Sequence, residues 1–183
     1  MAEGILRARL SGVAPGVRVS SAGLMLQGHP AEPNAVKVMS HMGIDITSHR
    51  SRVVGPDMLG NADLIIGMER RHVREVSALS YEVFRRAFTF PELVAAAERA
   101  GPRAGVDMAT WAHDLGRGRS SLEYLRDRTA QEVADPIGGS LRRFRSCARK
   151  LDDLTSRLVP LAWPGSDSDR APSRPDNDHQ RTS

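Results

Sequence analysis

The chain has 183 residues, 40% hydrophobic and 26% charged, which is the length of one domain able to bury a core and too short for two of ordinary size. Its net charge is +4; no stretch approaches the ~18 apolar residues of a membrane span, and Met1 to Leu6 lacks the basic-then-apolar pattern of a signal peptide, so a cytoplasmic protein with no membrane partner is expected. Cys147 is the only cysteine, which excludes an intrachain disulfide and a multi-cysteine metal site.

Taken in chain order, Met1 to Leu10 puts Met1, Ile5, Leu6 and Leu10 near one helical face and predicts an amphipathic helix. Val17-Arg18-Val19-Ser20 alternates with period two and predicts a short strand, ending in a loop at Ser21-Ala22-Gly23. Glu32 to Met42 predicts a second helix, with Ala35, Val36, Met39 and Met42 on its apolar face and Gly43 as the stop. Asp63 to Met68 is short and apolar, as a strand buried on both faces of a parallel sheet would be. Glu69 to Leu79 again has a helical pattern.

Residues 100–121 are rich in Gly and Arg and predict a mostly irregular insertion, with one short helix near Met108 to His113. Ser140 is placed to cap a final helix whose apolar residues Leu141, Phe144, Cys147, Leu151, Leu154 and Leu158 are spaced three or four apart. Residues 164–183 carry one apolar side chain, Ala171, and predict a disordered tail, because they cannot offset their ordering entropy by burial. The domain is then 1–163. Alternating strands and helices imply an α/β fold, a three-layer α/β/α arrangement with a small parallel sheet flanked by helices.

In this order the fragments resemble the low-molecular-weight protein tyrosine phosphatase family, which shares its fold with arsenate reductases. The resemblance is carried by Met1-Ala2-Glu3-Gly4, Ser21-Ala22-Gly23, Gly28-His29-Pro30, Gly43-Ile44-Asp45, His49-Arg50-Ser51-Arg52, Ala62 to Glu69, and Asp135-Pro136. Members of the family begin with a central strand and a phosphate loop of the form Cys-x-x-x-x-x-Arg-Ser, followed by Pro-Met-Ala-Glu. Here the sequence opens at that methionine, so the sheet is expected to lack the family's first, central strand, and the nucleophilic cysteine and clamping arginine have no counterpart. Cys147 does not replace them, since the residue six positions on is Asp153.

The resemblance implies that Asp135 is the catalytic general acid, which protonates a leaving phenolate, and that the partner is a phosphotyrosine protein or small aryl phosphate. It implies no metal and no cofactor. Ile137-Gly138-Gly139 stands where family members often carry an aromatic residue. Ser21 and Gly23 match a loop beside the family's active site, while His49, Arg50 and Arg52 are expected on a solvated or salt-bridged face.

His29, His41, His72 and His113 have no metal-ligand spacing. Arg142, Arg143, Arg145 and Arg149 form the densest basic patch, on the solvent side of the last helix. All basic residues but Lys37 and Lys150 are arginines, suited to clamping phosphate. With aromatics at 4%, stacking platforms are few and no nucleic-acid partner is expected. Three functions stay open: a phosphatase read from too late a start, inactive as written; a catalytically dead binding module; and, least favoured, an arsenate reductase. The oligomeric state is open as well.

Overall fold

The computed structural model describes residues 1–121, 124 and 132–165. In chain order these form α1 (Ala2–Leu10), α2 (Pro33–His41), α3 (Pro56–Gly60), β1 (Ile65–Gly67), α4 (Arg70–Leu79), a 3-10 turn (Tyr81–Arg86), β2 (Ala87–Thr89), α5 (Phe90–Ala100), α6 (Met108–Leu115) and α7 (Leu141–Ala162). The part of the expected tail beyond Gly165 lies outside the described residues.

β1 and β2 pair in parallel, with Ile65 opposite Ala87, Ile66 opposite Phe88 and Gly67 opposite Thr89. Because side chains alternate along a strand, this register sorts them to two faces. Ile66 and Phe88 pack with Ile5, Leu93, Leu154 and Leu158, from α1, α5 and α7. Ile65 and Ala87 pack with Leu59, Val73, Val76 and Phe84, from α3, α4 and the 3-10 turn. The result is the expected three layers around a small parallel sheet.

Several elements start where the sequence supplies the chemistry for it. Glu32 caps α2 by accepting a hydrogen bond from Ala35 N at 3.0 Å, with Pro33 in the first turn. Thr89 and Glu92 form a reciprocal capping box that turns β2 directly into α5. Gly43 follows α2 with φ of 72°, a conformation that favours glycine. Gly116 closes α6 against the main chain of Arg85, where a β-carbon would stand 1.9 Å from the carbonyl oxygen.

The structure departs from the sequence reading in five places. Val17 to Ser20 takes no regular secondary structure and joins no ladder among the described residues; the next pairing along the chain is a parallel bridge between Gly23 and Val53. Val17 and Val19 still turn to the core, which explains the period-two pattern without a paired strand. β1 covers only Ile65–Gly67, and Ile65 and Ile66 are half-buried, whereas β2 is buried throughout; β1 has β2 on one edge and no strand on the other among the described residues. On α2 the buried set is Ala35, Val38 and Met39, with Met42 exposed past the helix end. Ser140 begins α7 but makes no side-chain cap. Finally, β2 and α5 occupy residues 87–100, for which the pattern predicts no element. The short helix expected near Met108 is α6.

Behind β2 a polar cluster is buried among aromatic rings. The Arg119 guanidinium pairs with Glu92 at 2.9 Å and donates to the carbonyls of Phe84 (3.0 Å) and Ala87 (2.8 Å). It lies 4.1 Å from the centre of the Phe88 ring, and Tyr124 hydrogen-bonds both Arg119 and Glu92. Each donor of the guanidinium thus meets an acceptor, which is the condition for burying it. Burial is the main reason the Tyr124 phenol is held well above its ordinary pKa of 10.

Candidate active site

Asp135 lies in the segment leading into α7, and that segment is tied down beside β1 by hydrogen bonds, one of them between main chains. Val133 N donates to Met68 O at 2.8 Å, immediately after β1. Arg70 N donates to Glu132 Oε1 at 2.9 Å, and Lys150 Nζ to Glu132 O at 2.6 Å. Asp135 therefore sits at the carboxyl end of β1, the end at which parallel α/β sheets bind their ligands. Its carboxylate is exposed and accepts one bond, from Ile137 N at 3.0 Å, in a turn typical of Asp before Pro. The second oxygen is thereby left open to solvent.

The start of α1 belongs to the same neighbourhood. The Met1 amino group is pushed below its ordinary pKa chiefly by burial, partly offset by Cys147 and Glu3. Cys147 is half-buried, and burial raises its thiol; the Met1 amino group opposes that shift and Asp135 adds to it. His72, in the first turn of α4, is lowered chiefly by burial, with Glu69 the largest opposing charge and Asp135 a smaller one. Its Nδ1 accepts from Glu69 N at 3.2 Å, which requires the neutral ring there. Asp135, Cys147, His72 and the first turn of α1 thus share one electrostatic environment.

A second cluster fixes that first turn from the other side. Glu3 accepts a hydrogen bond from the Ser21 hydroxyl, pairs with Arg7 at 2.5 Å and stands 3.7 Å from His49 Nδ1. Ser21 is therefore brought to α1, while Gly23 N and O bond Arg52 O and Val54 N at 2.8 and 2.9 Å. Arg50 is spent on the carbonyls of Thr47 and His49, and Arg52 is exposed, so the three basic residues of that segment do not converge. The sequence reading missed two participants. Glu3 entered only as part of the Met1-Ala2-Glu3-Gly4 fragment, and Cys147 only as an apolar position on α7 that does not replace the nucleophile.

A small parallel sheet flanked by helices, with an exposed acid at the carboxyl end of one strand, defines the class: an α/β protein. Comparison with known proteins narrows this. The family model for low molecular weight phosphotyrosine protein phosphatase matches residues 1–102. The chain belongs to that family.

Over 79 residues it is 43% identical to the probable low molecular weight protein-tyrosine-phosphatase EpsP of Ralstonia nicotianae, a match covering 43% of this chain and 52% of the relative. Over 89 residues it is 38% identical to Etp of Escherichia coli K12, covering 48% and 57%. The chain thus spans about half the length of the curated relatives it matches. The crystal structure of the low molecular weight protein tyrosine phosphatase from T. tengcongensis superposes with a TM-score of 0.64 at 26% identity, covering 86% of each chain.

Proposed function

We propose that this chain carries the proton-transfer half of a phosphomonoester hydrolase site, acting on a phosphotyrosine protein or a small aryl phosphate. The observation that supports this best is the placement of Asp135, exposed at the carboxyl end of β1 and held there by the Val133–Met68 hydrogen bond. In this reading a cysteine thiolate attacks phosphorus, the ester P–O bond breaks, and Asp135 gives its proton to the departing phenolate oxygen. Asp135, now ionised, takes a proton from the water that attacks the cysteinyl phosphate, releasing phosphate and restoring the thiolate.

The thiolate and the clamping arginine come from a Cys-x-x-x-x-x-Arg-Ser segment ahead of α1, where main-chain N–H groups at a helix start stabilise anions. The unpaired edge of β1 among the described residues and the unpaired run of Val17 to Ser20 support a strand leading into that segment. Cys147 does not serve as the nucleophile: burial raises its thiol, the opposite of what a thiolate needs. The 183 residues alone are then inactive, and the site needs no metal or cofactor.

The test compares the chain as given with one extended by a strand and a Cys-x-x-x-x-x-Arg-Ser loop, using p-nitrophenyl phosphate. The extended chain should turn over and the given chain should not, and Asp135→Asn in the extended chain should lower kcat by about 10²–10³. Turnover by the 183 residues that is indifferent to Asp135→Asn overturns the reading. A second reading, a catalytically silent binding module on the same scaffold, draws support from the exposed arginines of α7.

A further inference from the structure

Four arginines, Arg142, Arg143, Arg145 and Arg149, stand exposed on the first two and a half turns of α7. None of them has an ion pair or side-chain hydrogen bond among the described residues. Farther along the same helix the charges are already matched: Asp152 pairs with Arg9 at 2.6 Å, and Arg157 with Glu98 at 2.8 Å and Asp153 at 3.2 Å. The surplus is therefore confined to the amino-terminal part of α7.

It is also locally unfavourable twice over. Arg142, Arg145 and Arg149, at i, i+3 and i+7, repel one another along one stripe. Arg142 and Arg143 stand in the first turn, where the dipole prefers acids, and α7 has no acid there. A bound anion relieves both costs.

The stripe begins at the foot of the Asp135 loop. Arg143 lies so close over Gly139 that a β-carbon there would meet its Cδ at 2.6 Å, and Gly139 N bonds Pro136 O at 2.9 Å. From Arg142 to Arg149 the helix rises about 10 Å, the reach of roughly three residues of extended peptide.

We propose that the Arg142–Arg145–Arg149 stripe, with Arg143 at its base, docks an acidic protein segment whose Asp and Glu side chains lie within a few residues of the group presented to Asp135. The position of the acids relative to the reacting group rests on the reading of Asp135 given above; recognition of the acidic segment by the arginines does not. Guanidinium forks match carboxylates with two parallel bonds. The face offers no aromatic side chain on which a base could stack. Among the described residues none of the large exposed apolar side chains lies on α7, and Ile137 stands alone in the loop before it, too little apolar surface to enter a lipid layer.

The experiment uses the full 183-residue chain and two fluorescein-labelled nonapeptides with an unphosphorylated tyrosine, one followed by four acidic residues and one by Ser and Gly. Anisotropy should show the acidic peptide binding about tenfold more tightly, with the preference shrinking as salt rises. Arg142→Ala, Arg145→Ala and Arg149→Ala should each weaken it about two- to fivefold, and the triple variant should abolish the preference. Lysine at the three positions should retain part of it. Equal binding of both peptides, or an undiminished preference in a triple variant with an unchanged melting curve, overturns the proposal. So does displacement of the acidic peptide by single-stranded RNA, or by phosphatidylserine vesicles, at lower concentration than by the unlabelled peptide itself. Since neither peptide carries phosphate, a phosphatase reading that fails on Asp135→Asn leaves this result standing, and the reverse also holds.

Discussion

The two strands of the sheet are three residues each and run side by side, yet they live in different solvents. β2 is buried at every position, backed by Phe84 and the Arg119–Glu92–Tyr124 cluster. β1 is half-buried, the loop tied to its end carries the exposed Asp135 carboxylate, and the half-buried Cys147 thiol of α7 and the Met1 amino group of α1 share that neighbourhood. The difference separates what holds the domain together from what is available for chemistry. Stability is concentrated on the β2 side, where contacts are complete, while the β1 side keeps polar groups that the core does not consume.

Substitutions can break that contrast, starting with the largest effect. Phe88→Ala removes a ring with no exposed surface at the middle of β2 and should cost about 4 kcal/mol in urea unfolding. Arg119→Ala removes the ion-pair partner of Glu92 and a donor to the carbonyls of Phe84 and Ala87, and should cost about 3 kcal/mol. A comparable loss from Asp135→Ala would erase the distinction between the two sides, since that side chain makes only one local bond.

The pH dependence sharpens the comparison from the β1 side. His72 is held below its ordinary 6.5 in the folded chain, so the unfolded chain takes up the proton first as the pH falls. Its contribution is intact above pH 6.5 and is lost progressively below it, and His72→Asn should flatten that part of the curve. The smallest effect belongs to the surface: Asp152→Asn breaks an exposed pair with Arg9 and should change stability by less than about 1 kcal/mol, and less still in high salt.

Much of this was legible in the residues. Periodicity located α1, α2, α4 and α7, because each has an apolar stripe at helical spacing. The order of short fragments indicated the family. What escaped has physical causes. The run Thr89-Phe90-Pro91-Glu92 contains a capping box and a first-turn proline that announce α5, but a buried three-residue strand fused to it offers no alternation to count. Val17 to Ser20 reads as a strand because its valines face the core, and sequence records which way side chains turn without recording whether the backbone finds a neighbour. Cys147 and Met1 meet only because α1 packs on α7, a relation between residues almost the whole domain apart.

The Val133–Met68 hydrogen bond has a consequence for how this region tolerates change. Both its atoms belong to the peptide backbone, so no exchange of side chain at Met68, and none but proline at Val133, removes it directly, and the carboxylate keeps its address while its surroundings are rewritten. Proline at 133 alone deletes the donor. That variant would cut the tether while leaving Asp135 in the sequence, separating the presence of the acid from its delivery.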